Sequence, residues 1–231
     1  MTDMTRAEVC VAACAEAFRG DGEIMASAMG VIPMLGARLA RATFAPDLLV
    51  SDGEATLLNA EGVAEGWMPF RTVFDTLWAG RRHVMMGATQ VDRFGNQNIA
   101  CIGDWQRPKT QLLGVRGAPG NTINHTTSYW VPNHSLRVFV ERVDFVSGIG
   151  WDRGAVEIRV VVSNLGVFDF DTPDNSMRLR SFHPGVTVDE IVAVTGFPLA
   201  VDDAVETPAP EGEHLRLLRE VLDPQATRDA A

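Results

Sequence analysis

An α/β fold with an open, mixed sheet flanked by helices is predicted by two features of the sequence. Helical apolar spacing alternates with short β-type runs through the first half of the chain, and hairpin signals dominate the second half. The 231 residues carry no internal repeat, low-complexity tract or linker-like stretch, so one domain over 1–231 is expected. At 46% hydrophobic and 22% charged, the composition is that of an ordinary globular protein and excludes collagen, coiled coil and disorder.

The first helix opens at Thr5, a good N-cap. Glu8 stands three residues on, and Val9, Ala12, Ala13, Ala17 and Phe18 follow at helical spacing. Gly20-Asp21-Gly22 stops it. A short strand is predicted over 23–29, then punctuation at Gly30 and Pro33, then a second amphipathic helix over 34–42. Apolar runs at 47–50 and 83–88 read as strands, and Asp92-Arg93-Phe94-Gly95-Asn96 reads as a hairpin turn with Gly95 at positive φ. Further strands are predicted at 111–115, 137–140, 157–163 and 166–171, the last two joined by a hairpin at Asn164-Leu165. Thr187 caps a helix over 188–194, with Glu190 completing a capping box. Residues 204–210 read as a loop, and 211–222 as a last amphipathic helix.

Thirty acidic against 20 basic residues give a net charge of −10, which excludes a nucleic-acid backbone as partner, because such binding needs a basic surface. A local Arg cluster for an anionic small ligand remains compatible with that charge. The opening stretch, interrupted by acidic residues, is not expected to act as a secretory leader, and no apolar run reaches membrane length. The three cysteines, Cys10, Cys14 and Cys101, form no CxxC pair; they are expected as buried thiols in a reducing, cytoplasmic compartment. His83, His134, His183 and His214 follow no metal-ligand spacing, so no metal is expected. His83, after Arg81-Arg82, is expected at the surface, and His183 is expected to pack at a turn.

Two segments could carry chemistry. In GVRGAPGNTINHTTSYW at 114–130, Gly114, Gly117 and Gly120 allow unusual φ and close backbone approach. Successive amides in such a turn can hold an anion or a developing oxyanion. Asn121, Asn124 and His125 add polar groups, Arg116 a bidentate anion ligand, Pro119 stiffness, and Tyr129 and Trp130 aromatic surface. A plain glycine-rich turn between strands fits the same pattern equally well. The second segment is Ser51-Asp52-Gly53-Glu54, after an apolar strand, where ligands of open α/β sheets gather. A carboxylate there, Asp52 or Glu54, could act as base or nucleophile, although Asp-Gly is also a common solvated turn.

Taken in order, FAPD at 44–47, GATQVDRFGNQN at 87–98, IGDWQRPKT at 102–110, RGAPGN at 116–121, FVERVDFVSGIG at 139–150 and HPGVTVDEIVAVTGF at 183–197 form a specific set. The chain resembles the β subunits of class I coenzyme A transferases, in the glutaconate CoA-transferase-like branch, over essentially its whole length. The resemblance implies a class I CoA-transferase-like fold, an obligate homologous α subunit in an α2β2 assembly, and a site between the two chains that handles an acyl-CoA. It implies no cofactor, coenzyme A being part of the substrate. Family transferases use a β-subunit glutamate that attacks the thioester a few residues after the FAPD-like segment.

An ungapped reading places Ser51 at that glutamate position; a shifted frame offers Asp52 and a larger gap Glu54. With VSDGE and RGAPGNTINHTTSYW together, the chain resembles the ring-opening hydrolase branch of steroid-degrading bacteria. That branch hydrolyses a carbon–carbon bond of a β-diketone ring attached to CoA. For such chemistry Asn121, as a neutral oxyanion donor, His125, as a proton carrier, and Glu54 are the catalytic candidates that the two segments offer. By their chemistry Asp52, Arg116, Gly117, Pro119, Gly120, Asn124, Tyr129 and Trp130 are the substrate-binding candidates. CoA transfer between carboxylic acids through Glu54 or Asp52, and a non-catalytic subunit that completes the α chain's pocket, are the competing expectations. Trp67, Met68, Phe70 and Trp78 are candidate interface anchors.

Overall fold

Thr5 and Glu8 start the first helix as predicted. The Thr5 hydroxyl accepts the Glu8 amide, and the Glu8 carboxylate accepts the Thr5 amide, a complete capping box for α1 (Arg6–Glu16). The structure, a computed structural model, describes residues 4–52, 56–59, 61–69, 71–72, 75, 79–112, 114–115, 117–210 and 212–231. Contacts divide the chain into two units, one of residues 1–86 with 207–231 and one of residues 87–206.

In the first unit α1 leads into β1 (Met25–Ala28), α2 (Val31–Ala42), β2 (Leu49–Ser51), β3 (Thr56–Leu58), β4 (Ala64–Trp67) and β5 (Arg82–Gly87). β1 lies between β2 and β5 and is parallel to both; β2, β3 and β4 follow antiparallel to one another. Helix α2 begins at Val31 rather than residue 34. Pro33 sits in its first turn, where the missing N–H would have no helical partner in any case. α1 and α2 pack so closely that a Cβ on Gly36 would lie 2.7 Å from Cys14 Cβ, so only glycine fits. Cys10 and Cys14 are buried and form no disulfide, and burial pushes the Cys10 thiol up to about 12. The C-terminal helix (Gly212–Leu217) ends in a wider π-type turn over Leu218–Leu222.

His83 is a correction to the sequence reading. It is fully buried on β5, its Nδ1 is 2.7 Å from Asp21 Oδ2, and Phe18 packs on its ring. Parallel strands are covered on both faces, so a polar residue inside the 83–88 run faces protein, not water.

The second unit contains β6 (Gln90–Val91), β7 (Gln97–Asn98), β8 (Cys101–Ile102), β9 (Thr110–Gln111) and α3 (Ala118–Asn124). β10 (Thr126–Val131), β11 (Glu157–Ser163), β12 (Gly166–Asp169), β13 (Arg178–Phe182), α4 (Val188–Ala193) and β14 (Val205–Glu206) follow. β10 and β11 are parallel, β11, β12 and β13 antiparallel, and β14 parallel to β13. The chain thus has the mixed sheet and flanking helices that the sequence predicts. The 92–96 turn joins β6 and β7, with Gly95 at φ 79°, and the Thr187–Glu190 capping box is present on α4.

Three readings change. Residues 137–140 form no strand: the amides of Val138 and Phe139 both turn back to the Ser135 carbonyl. The strand expected at 111–115 shortens to β9, and the 204–210 loop contains β14. The core here gathers Tyr129, Phe139, Phe168, Ile158 and Leu179. His134 stacks flat on Phe139 at 3.6 Å and contacts the hydroxyls of Ser163 and Thr195; burial pushes it down to about 3, so it stays neutral.

Candidate active site

The 114–130 segment is more ordered than a turn. Gly114 takes φ 94°, the Ala118 amide donates to the Val115 carbonyl, and α3 then runs over Ala118–Asn124 with Gly117 as N-cap and Pro119 in the first turn. Gly117 sits at φ −83° and ψ −1°, and Gly120 lies inside the helix, so neither needs glycine for its φ; that need falls on Gly114. The Asn121 amide is spent on the Gly117 carbonyl at 2.9 Å, and the His125 amide on Asn121 at 2.8 Å. An open nest of amides over 117–121 is therefore replaced by a short helix whose first turn is capped without a side chain.

The segment has an outer and an inner side. Pro119 is exposed, with Gly117, Gly120 and Asn124 half-buried beside it. Asn124 Nδ2 donates to the Gly120 carbonyl at 2.8 Å, which fixes its head group. Asn121 and His125, 2% and 3% exposed, lie directly behind this surface. Tyr129 does not supply ligand-facing aromatic surface: it is fully buried, its hydroxyl donates to the Gly95 carbonyl at 3.2 Å, and burial holds the phenol above its ordinary range. Trp130 is likewise largely buried on β10. Arg116 lies outside the described residues.

The 51–54 segment belongs to the first unit. Ser51 ends β2 and is buried, its Oγ 3.1 Å from Ser27 Oγ on β1. Arg82 Nε donates to the same Ser27 hydroxyl at 2.7 Å, and burial lowers the guanidinium to about 10. Asp52 is exposed and closes the next turn: its amide donates to the Thr56 carbonyl, and its Oδ1 accepts the Thr56 amide at 3.1 Å. Glu54 lies outside the described residues, as do Phe70 and Trp78; Trp67, on the edge strand β4, is 70% exposed.

Sequence reasoning missed the Arg82–Ser27–Ser51 chain. The available signal was a basic residue at the head of an apolar parallel-strand run, where a charge has to be buried and bonded. Among the described residues no group of three or more His, Cys, Asp or Glu side chains could hold a metal ion, and no helix is long and apolar enough to cross a membrane.

Comparison with known proteins places these features in context. The coenzyme A transferase family profile matches residues 74–194. The chain is 54% identical to the IpdB subunit of the cholesterol ring-cleaving hydrolase of Rhodococcus jostii, over 99% of this chain and 96% of that one. The crystal structure of Rhodococcus jostii IpdAB superposes with a TM-score of 0.93 at 54% identity, covering 99% of this chain and 98% of the matched one. Glutaconate coenzyme A-transferase from Acidaminococcus fermentans superposes with a TM-score of 0.82 at 27% identity, covering 97% of both chains.

Proposed function

Because the chain belongs to the coenzyme A transferase family, we propose that it is the β subunit of a heteromeric hydrolase that opens a carbocyclic ring of a CoA thioester in steroid degradation. The observation that carries this reading is identity of 54% across nearly the whole length of a cholesterol ring-cleaving hydrolase subunit. The Ser51 hydroxyl supports it locally. At the strand end where the ungapped motif places the transferase glutamate stands a buried hydroxyl already engaged with Ser27, which cannot form the acyl–glutamyl anhydride and glutamyl-CoA thioester of a transfer cycle.

The reaction is hydrolysis of a β-diketone. Water adds to a ring carbonyl carbon and loses a proton, and the bond from that carbon to the carbon between the two carbonyls breaks. The first carbonyl leaves as a carboxylate. The second holds the electron pair as an enolate until a proton returns to carbon. What the protein has to supply is hydrogen-bond donation to the enolate oxygen and a proton path.

We assign these tasks on this chain to the 117–125 segment. Gly117, Pro119 and Gly120 offer close backbone approach, Asn124 is fixed beside them, and Asn121 and His125 are the polar side chains behind. A neutral amide suits a transient oxyanion, and an imidazole has two ring nitrogens through which a proton can pass. The base that activates water is a residue of the α chain, Glu54 is an electrostatic contributor, and Arg116 and Asp52 hold substrate. The assembly is α2β2, with Trp67 a contact to another subunit, and the compartment is the reducing cytoplasm, in keeping with three buried cysteines that form no disulfide. No cofactor is required.

The test is co-expression with the homologous α chain, followed by mass spectrometry of a CoA-linked cyclic diketone. A gain of one water with ring opening is expected; an unchanged substrate refutes the reading. CoA transfer through Asp52 is the second reading, favoured by the exposure of that carboxylate at the end of β2.

A further inference from the structure

Gln97 joins three separate pieces of the second unit. It is fully buried on β7, and its Nε2 donates to the carbonyl of Gly87, the last residue of β5, at 2.5 Å. Its own backbone donates to the Gly148 carbonyl at 2.9 Å and accepts the amides of Ser147 and Gly148 at 2.8 and 3.2 Å. The 147–149 stretch is in turn fixed to α3. The Ile149 amide donates to Thr122 Oγ1 at 3.1 Å, and that hydroxyl donates to the Ala118 carbonyl at 3.3 Å. There is no room for a side chain where these pieces meet: a Cβ on Gly148 would lie 2.9 Å from Thr122 Cγ2 and 3.2 Å from Gln97 Oε1.

The other end of the Gln97 amide, Oε1, is buried without a hydrogen-bond partner among the described residues. An unsatisfied buried acceptor costs about 1–3 kcal/mol. A leucine would fill a similar volume without that cost, so the amide is explained by what its donor end holds. Ligands of open α/β sheets bind beyond the carboxyl ends of strands, and the Gly87 carbonyl is at such an end.

We propose that Gln97 is a positioning residue for the ring-opening reaction. Within the second unit it holds the Gly87 carbonyl and, through Gly148 and Thr122, helix α3 in one fixed geometry. This rests on the assignment of the reaction to the 117–125 segment. Electrostatic stabilisation depends on donors standing in place before charge develops, and a misplacement of about 1 Å can slow a reaction about 10²-fold. Gln97 itself touches no substrate.

Glutamate is the informative replacement, because it matches glutamine in shape and can donate only when protonated. In the assembled αβ complex, Gln97→Glu should have kcat about 10- to 100-fold below wild type at neutral pH, with KM little changed. Its kcat should recover as pH falls and the buried carboxyl takes up the proton that replaces Nε2–H, a limb the wild type lacks. A second measurement needs no turnover: Gln97→Leu should speed hydrogen exchange of the Asn121 and His125 amides while exchange on β11 is unchanged. Wild-type kcat and pH profile in Gln97→Glu, or a loss that only follows the fraction of unassembled complex, would overturn the proposal. So would unchanged exchange at Asn121 and His125 in Gln97→Leu. A wild-type complex that leaves the ring intact refutes the reaction assignment instead, and the exchange measurement still decides the role of Gln97.

Discussion

Arg219 grips the Glu8 carboxylate with both arms of its guanidinium, Nε to Oε1 at 2.6 Å and Nη2 to Oε2 at 2.8 Å. Arg228 adds a third bond to Oε1 at 3.0 Å, and the Thr5 amide a fourth contact to Oε2 at 2.9 Å. The Arg219 bonds, with help from the backbone and Arg228, hold the Glu8 carboxyl down to about 2, against the burial that raises it. Its folded pKa is depressed, so the stabilisation is present above the unfolded value near 4.5 and is lost as pH falls through about 2. Glu8→Gln should lower stability by about 3 kcal/mol at neutral pH, since it leaves buried Arg228 without this partner. Thermal melts between pH 2 and 7 should show the difference between the variant and wild type shrinking toward the acid end. A constant difference across that range would remove the ionic explanation.

The 117–125 segment should be sensitive in rate more than in folding. Asn121→Ala is expected to lower kcat by about 10²–10³, the range for loss of one oxyanion donor. His125→Ala should alter the pH profile as well as the rate if it moves protons. Both side chains are buried, so melting temperature and subunit assembly have to be measured alongside. Near-wild-type kinetics for both in an intact complex would make α3 a purely structural helix.

No covalent acyl or CoA adduct should form on Asp52 or Glu54 during turnover. Borohydride or hydroxylamine trapping followed by peptide mass spectrometry reads this directly, and an adduct on either residue would establish the transferase reading. Glu54→Gln should slow ring opening by about tenfold to hundredfold, the cost of one polar contact worth about 1–3 kcal/mol.

Gly36→Ala is expected to destabilise by about 1–3 kcal/mol, because its Cβ would have to displace helix α1 at Cys14. A denaturant titration gives the value. A neutral result would mean that α1 moves away from α2 at no cost.

The parts of the fold that the sequence revealed are those set by neighbours along the chain. Both capping boxes, the Gly95 turn and the β11–β12 hairpin are local, and each stands where its residues predict. Helix α3 was hidden because Gly, Pro and Asn are turn formers, and only Ala118, Thr122 and Asn121, packed inward, hold it in helical form. β10 was hidden because it is buried on both faces from Thr127 to Val131, so its sequence shows no alternation. Of the candidate site, Asn121, His125, Gly117, Pro119, Gly120 and Asn124 fall on one short helix and its caps, where the sequence reading expected an open turn of amides. Arg82, Ser27 and Gln97 escaped notice because their importance comes from partners that other strands and loops bring to them.

The grip on Glu8 spans 211 residues of sequence to Arg219 and 220 to Arg228. The second unit, by contrast, is a single uninterrupted stretch from Gly87 to Glu206. The second unit has every residue it needs within one stretch, whereas α1 keeps its buried carboxylate without Arg219 and Arg228 until the last segment is present. The two units therefore differ in what closes them: one is complete within a continuous stretch, and the other draws on two segments far apart in the chain. A chain cut short after residue 206 should keep the second unit resistant to protease and leave α1 open to it. Protection of α1 in that chain would mean that the first unit closes without its last segment.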